Sequence, residues 1–302
     1  MKKRSRRKKR NIVVPIVVLI FCCIFTAMVA YGWNARKKNV KVAASKGAAE
    51  TVEVNNSETS SEGETTAAPE SETAQTVAET TATPESNPGP DEKVVYFTFD
   101  DGPWTGTPRL LDILDQYNIK ACFFVTAQYM ETEPLKNMLK QIKDRGHNVA
   151  VHSLTHNYKK IYASVDAFFA DLYKLRDLIK EKTGVDPKVT RFPGGSSTTR
   201  VSKPLKQAII NRLTKEGYVY QDWNCDSTDA SGNKVPVEKL VKNGVCNVRE
   251  VNLLMHDAYA KTTTVEALQK IIDAYKAKGY IFEVLTVDSP KFQHVKQPDM
   301  VD

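Results

Sequence analysis

The sequence is poor in cysteine, with five in 302 residues. Cys22 and Cys23 fall inside an apolar run, which leaves Cys122, Cys225 and Cys246 for the remainder of the chain. So few thiols exclude a small disulfide-built scaffold. Cys225 ends a predicted strand, and Cys246 follows a predicted helix of about ten residues, which would hold the two about 15 Å apart. A bridge needs Cα atoms within about 7 Å, so we expect three buried thiols and no structural disulfide. Glycine-rich phosphate loops are also missing. Neither G-x-G-x-x-G nor a P-loop pattern occurs, so no nucleotide is expected as a partner. Acidic residues are absent from residues 1–10, which hold eight Lys/Arg. Histidine is scarce, at five residues, so a closely spaced pair stands out.

The longest uncharged apolar run extends from Ile12 to Tyr31. About 20 such residues suffice to cross the hydrocarbon core of a bilayer. The basic cluster before it, and only Arg36, Lys37 and Lys38 after it, place residues 1–11 in the cytoplasm and everything beyond outside. A cleaved signal peptide competes with this reading, but cleavage after Ala30 would put Met28 where a small residue belongs. We therefore expect a single-pass membrane helix at 12–31. The formal net charge of +7 is concentrated at this end. A nucleic-acid protein would carry its basic excess on a folded face or groove, so nucleic acid is not an expected partner. Residues 32–92 read as a linker. Between 39 and 92 they hold eleven Asp/Glu against two Lys, with much Ser, Thr, Ala and Pro and few large apolar residues. Such a segment cannot bury enough surface to offset its ordering entropy.

From Lys93 onward apolar runs alternate with amphipathic stretches. Strands are expected at 93–99, 120–126, 148–152, 188–192, 218–225, 251–255 and 281–286. Helices are expected near 107–117, 133–145, 164–183, 203–216, 236–244 and 264–278. Gly146, Gly184, Gly217 and Gly279 stand where helix ends need a left-handed residue. The alternation predicts an α/β architecture with a parallel sheet. An open doubly wound sheet and a barrel fit it equally.

Polar residues able to do chemistry follow nearly every strand, and in barrels that rim carries the site. Asp100-Asp101 end the first strand, and adjacent carboxylates there are relieved by a cation or a shared proton. His152-Ser153-Leu154-Thr155-His156 sets two imidazoles four residues apart. With Asp101 they make a two-His, one-carboxylate set that accepts zinc or iron. Asp100 is then free to serve as general base, and Arg191 to hold it. Gly194-Gly195 allow backbone N–H groups to approach an oxyanion. His256 is a candidate acid, with Asp226 to orient it and raise its pKa. Trp223 and Trp104 are candidates to line a sugar groove.

Taken in order, Thr98-Phe99-Asp100-Asp101-Gly102-Pro103, His152-Ser153-x-x-His156, Arg191-Phe192-Pro193-Gly194, Asp226-Ser227-Thr228-Asp229 and Leu254-Met255-His256 resemble the motifs of the polysaccharide deacetylases. This is the NodB-homology domain, or carbohydrate esterase family 4. The resemblance covers about 93–290, with 291–302 as a C-terminal tail. It implies a distorted (β/α) barrel of about seven parallel strands and removal of acetyl groups from polysaccharides. It further implies Asp100 as base, Asp101, His152 and His156 as metal ligands, Arg191 holding the base, Gly194 at the oxyanion and Asp226 tuning His256 as acid. Gly194, Trp223 and Leu254 would touch substrate. Zinc is the expected ion, with cobalt, nickel, manganese or iron as alternatives. Two departures stand out: Ala230 occupies the place of a usual Trp, and Gly194 that of a frequent aromatic. Joined to an anchor, the motifs imply an extracellular enzyme of the cell membrane that N-deacetylates peptidoglycan amino sugars. Acetylxylan and chitin oligomers are the alternative substrates. A catalytically idle glycan-binding module is the alternative of another class.

Overall fold

The computed structural model describes residues 91–296. The basic tail, the apolar run at 12–31 and residues 32–90 of the linker lie outside the described residues. Among those described, no helix is long and apolar enough to cross a membrane. The chain runs β1 (Lys93–Asp100), α1 (Thr107–Gln116), β2 (Cys122–Thr126), α2 (Glu133–Lys136), α3 (Met138–Asp144), β3 (Asn148–Ser153), α4 (Tyr158–Ile161) and α5 (Val165–Thr183). It continues with β4 (Val189–Thr190), α6 (Lys203–Lys215), β5 (Val219–Tyr220), β6 (Cys225–Asp226), α7 (Val237–Gly244), β7 (Glu250–His256), α8 (Thr262–Ala277) and β8 (Tyr280–Glu283).

All strand pairs are parallel, in the order β5-β4-β3-β2-β1-β7-β6. β8 pairs with the first half of β1, Lys93–Tyr96, and β2 with its last residues, Thr98–Asp100. The two ends of this order, β5 and β6, are joined by four residues. A chain that short spans at most ~18 Å, so the sheet must curl until its edges face each other. The result is an incomplete barrel, open between β5 and β6. The expected strand at 218–225 is two short strands, because its middle crosses that opening.

Alternation along β1 sorts the residues between two environments. Val95, Phe97 and Phe99 join the main apolar core, whereas Val94 and Tyr96 join a smaller cluster with Cys122, Phe124, Ala150, Val189 and Leu285. The second set continues as Thr98 and Asp100, both buried. The inner face of the sheet therefore changes from apolar to polar toward the strands' C-terminal ends. The expected helix at 133–145 breaks at Asn137, which ends α2 and begins α3. Gly146, Gly184, Gly217 and Gly279 all have positive φ, as their positions after helices predict.

Two expectations are corrected. Cys225 and Cys246 form a disulfide, with Cα atoms 6.1 Å apart. The helix between them is real, but residues 227–236 first carry the chain away and α7 brings it back, so helix length does not set the separation. Among the described residues Cys122 alone is a free buried thiol, and burial raises its pKa. The segment expected to be a tail is also fastened to the domain over 291–296. Phe292 N–H donates to Gln221 Oε1 (2.8 Å), His294 N–H to Asp222 Oδ2 (2.8 Å) and Val295 N–H to Ser196 Oγ (3.0 Å).

Candidate active site

Consecutive strand residues point to opposite faces, so Asp100 and Asp101 would normally diverge. Asp101 instead has φ 75°, a left-handed turn that Asp tolerates better than most residues. Its N–H donates to Phe124 O (3.1 Å) and its carbonyl accepts from Thr126 Oγ1 (2.9 Å), which fix the turn against β2. Both carboxylates thereby meet one nitrogen: His152 Nε2 is 3.9 Å from Asp100 Oδ2 and 3.6 Å from Asp101 Oδ1.

His152 stands on the inner face of β3 and is buried. Its Nδ1 is 2.9 Å from Arg191 O, so Nδ1–H donates there and Nε2 keeps its lone pair toward the pocket. Burial lowers its pKa against the pull of Asp100 and Asp101, favouring the neutral ring that a metal ligand requires. His156 follows at φ 49°, its N–H bonded to Ser153 Oγ at 2.9 Å. Asp171 of α5 organises this loop: it accepts from Ser153 Oγ (2.7 Å), Leu154 N (2.7 Å), Thr155 N (3.1 Å) and Thr155 Oγ1 (2.8 Å). Sequence reasoning missed Asp171, since nothing in its helix marks which face meets the loop.

Ligand atoms of Asp101, His152 and His156 all lie within 4.8 Å of one another. His156 Nε2 is 3.4 Å from Asp101 Oδ1. Nitrogen and oxygen ligands at about 2.1 Å from a tetrahedral ion stand about 3.4 Å apart. Asp101 Oδ1 is buried and accepts no hydrogen bond. A buried carboxylate oxygen without a donor is costly, and a divalent cation between these three residues would satisfy it. The donor set and spacing fit a metal ion.

Behind this corner Arg191 is fully buried, and each of its N–H groups finds an acceptor. Nη1 bonds Asp100 Oδ1 (2.8 Å) and Thr98 Oγ1 (2.9 Å), Nε bonds Gln221 O (2.8 Å), and Nη2 bonds Asp222 O (2.8 Å) and Asn252 Oδ1 (3.2 Å). The guanidinium thus spans the barrel opening and fixes one oxygen of Asp100, leaving Oδ2 toward the pocket. Gly194 and Gly195 have φ 78° and 75°. Side chains rarely adopt that conformation, and a Cβ at 195 would lie 2.8 Å from Trp223. Trp223 is half-buried, its ring 5.0 Å from His294, and Leu254 is buried on β7.

The opposite wall differs from expectation. His256 pairs in register with Asp100 on the neighbouring strand. Its Nδ1 is 2.7 Å from Asp229 Oδ1, and its backbone N–H donates to Asp229 Oδ2 (2.8 Å). The partner of the imidazole is Asp229, not Asp226. Asp226 Oδ1 instead accepts Thr228 N–H (2.6 Å), closing a turn that swings Asp229 back to His256. That Asx turn, latent in Asp226-Ser227-Thr228, is the signal that sequence reading passed over. Burial alone would lower the imidazole pKa, but the charge of Asp229 and its hydrogen bond outweigh burial and raise it to about 9. The same pairing overcomes burial and lowers the pKa of Asp229. Asp226 shifts upward, chiefly through burial. Asp257 was also missed as a support. It accepts from Trp104 Nε1 (2.9 Å) and Thr107 Oγ1 (2.7 Å), which explains why Trp104 is held at the rim.

A clamped carboxylate lies in register with a carboxylate-backed imidazole on the neighbouring strand, at the C-terminal rim of an α/β barrel. That is the site of a hydrolase. The comparisons name its family. The polysaccharide deacetylase model matches residues 87–212. A peptidoglycan-N-acetylglucosamine deacetylase of Bacillus cereus is 33% identical over 207 residues, covering 67% of this chain and 72% of that protein. The catalytic domain of the peptidoglycan N-acetylglucosamine deacetylase of Eubacterium rectale superposes with a TM-score of 0.65 at 40% identity, covering 71% of this chain and 96% of that one. A family 4 acetyl xylan esterase of Clostridium thermocellum, solved with a cobalt ion, gives 0.53 at 27% identity over 64% of this chain and 88% of that one. The chain belongs to the polysaccharide deacetylase family.

Proposed function

We propose that the protein removes N-acetyl groups from peptidoglycan amino sugars, with a divalent cation held by Asp101, His152 and His156. The observation that carries this reading is the unsatisfied Oδ1 of Asp101 between two imidazole nitrogens, with the Arg191-clamped Asp100 beside it. The cobalt-bound relative supports a metal, and zinc suits the nitrogen and oxygen donors. A cation bound there supplies Lewis-acid polarisation of the acetyl carbonyl and a lowered pKa for adjacent water.

The chain's own residues supply the other parts. Asp100 Oδ2 takes a proton from the attacking water, while Arg191 keeps the carboxylate oriented. The Gly194 N–H faces the oxygen on which negative charge develops. His256, protonated at neutral pH through Asp229, delivers a proton to the departing sugar nitrogen. The peptidoglycan relatives favour this polymer over xylan and chitin. Location outside the cell is supported by the Cys225–Cys246 bridge, since disulfides persist in oxidising compartments. A membrane anchor at 12–31 would restrict the enzyme to polymers near its own membrane. The test is acetate release from peptidoglycan, N-acetylglucosamine oligomers and acetylxylan assayed side by side. The reading requires the first to be the best substrate and a chelator to stop release.

A further inference from the structure

Tyr158 stands at the junction of the metal-ligand loop and the Gly194 turn. It opens α4 two residues after His156, and Asn157 caps that helix by accepting Lys160 N–H at 3.2 Å. The Tyr158 ring meets the His156 imidazole edge-on, with centroids 5.4 Å apart. Tyr162, at the other end of α4, is buried and donates its hydroxyl to Pro193 O at 2.9 Å. The short helix is thus fastened to the residue immediately before Gly194. Two independent contacts, one to His156 and one to Pro193, fix where Tyr158 points.

It points at Gly194. A Cβ at that position would lie 3.2 Å from the Tyr158 hydroxyl oxygen. The Gly194 nitrogen is about 2.5 Å from the same point, so hydroxyl and N–H are at most about 6 Å apart. One oxygen about 2.9 Å from each of two donors spans that gap. Neither the Tyr158 hydroxyl nor the Gly194 N–H has a hydrogen-bond partner among the described residues. The Arg200 guanidinium lies over the phenol ring, 4.6 Å from its centroid, and adds positive charge on that side of the pocket.

We propose that Tyr158 is a catalytic residue. Its hydroxyl donates a hydrogen bond to the acetyl carbonyl oxygen, alongside the Gly194 N–H, as negative charge develops there. The phenol keeps its proton throughout. The glycine at 194 leaves the space through which this hydroxyl reaches the oxygen. The proposal rests on the deacetylase reading above and assigns a second oxyanion donor within it.

The experiment compares the full chain with its Tyr158→Phe variant on N-acetylglucosamine oligomers. Phe keeps the ring against His156 and under Arg200, so bound metal and melting temperature stay at wild-type values. Loss of one such donor predicts a fall in kcat of about 10- to 100-fold, with KM changed less than about 2-fold. An unchanged kcat, a loss confined to KM, or a loss that tracks missing metal would each overturn the proposal. Tyr158→Leu, which removes the ring as well, is expected to lose metal in addition to rate. Retention of full rate by that variant would overturn the proposal too. If the wild-type chain releases no acetate from any of the three polymers, the deacetylase reading fails, and the role of Tyr158 with it. A competent wild type beside an unimpaired Phe variant overturns Tyr158 alone.

Discussion

The two walls of the pocket solve the same problem, buried charge, in opposite ways. The wall of Asp101, His152 and His156 is incomplete within the protein, since Asp101 Oδ1 is buried without a donor. The wall of His256 and Asp229 is complete. Both oxygens of Asp229 are engaged, one by the imidazole and the other by His256 N–H and Thr264 Oγ1. The first wall is built to receive something from outside. The second favours a protonated imidazole, because Asp229 raises the pKa of His256. Removing an external component should therefore cripple one wall and leave the other intact.

The largest effect is expected on the incomplete wall. Asp101→Asn, or exhaustive chelation, should abolish acetate release, and re-addition of zinc or cobalt should restore only the chelated wild type. Next comes the acid. Asp229→Asn should lower kcat by about 10²- to 10⁴-fold while leaving the metal in place. The pH profile carries the same distinction. Because the raised pKa of His256 is about 9, activity should persist through neutral pH and fall as pH rises through about 9. In Asp229→Asn that alkaline limb should move to lower pH. The stability linked to this pair has the same sign. It is fully present below the ordinary imidazole pKa and is lost as pH rises through the folded value. Asp226→Asn should move the limb much less than Asp229→Asn does, since Asp226 bonds its own turn and acts on the imidazole through charge alone.

A smaller effect separates the supports of the two walls. Asp171→Asn loosens the loop that carries His156 and should weaken metal affinity about 10- to 100-fold. Cys225→Ser with Cys246→Ser opens the loop that carries Asp229. It should cost about 2–4 kcal/mol in a urea titration and leave metal affinity unchanged.

The same contrast explains what could be read in advance. The incomplete wall is made of residues close in sequence at strand ends, Asp100-Asp101 and His152 to His156. Hydrophobic alternation locates those strands, and short-range spacing locates the ligands. The complete wall joins Asp229 to His256 across 27 positions, through α7 and β7, so no short-range spacing marks the pairing. Asp226 and Asp229 are equivalent candidates until the Asx turn at Thr228 decides between them. The disulfide escaped for a related reason: a helix length bounds a distance only if the chain runs straight. Arg191 was legible as the clamp of Asp100, but its bonds to Gln221 and Asp222 carbonyls depend on the sheet curling, which pattern alone leaves open. The fastening of 291–296 depends on the Asp222 carboxylate and Gln221 amide, polar groups that a one-dimensional reading assigns to solvent.

The most direct test is calorimetric titration of the metal-stripped full chain with zinc, followed by an acetate-release assay on the same sample. Binding of one equivalent that restores release, with both lost in His152→Ala, is the predicted result. Full acetate release from the stripped protein would contradict the role given to Asp101, His152 and His156.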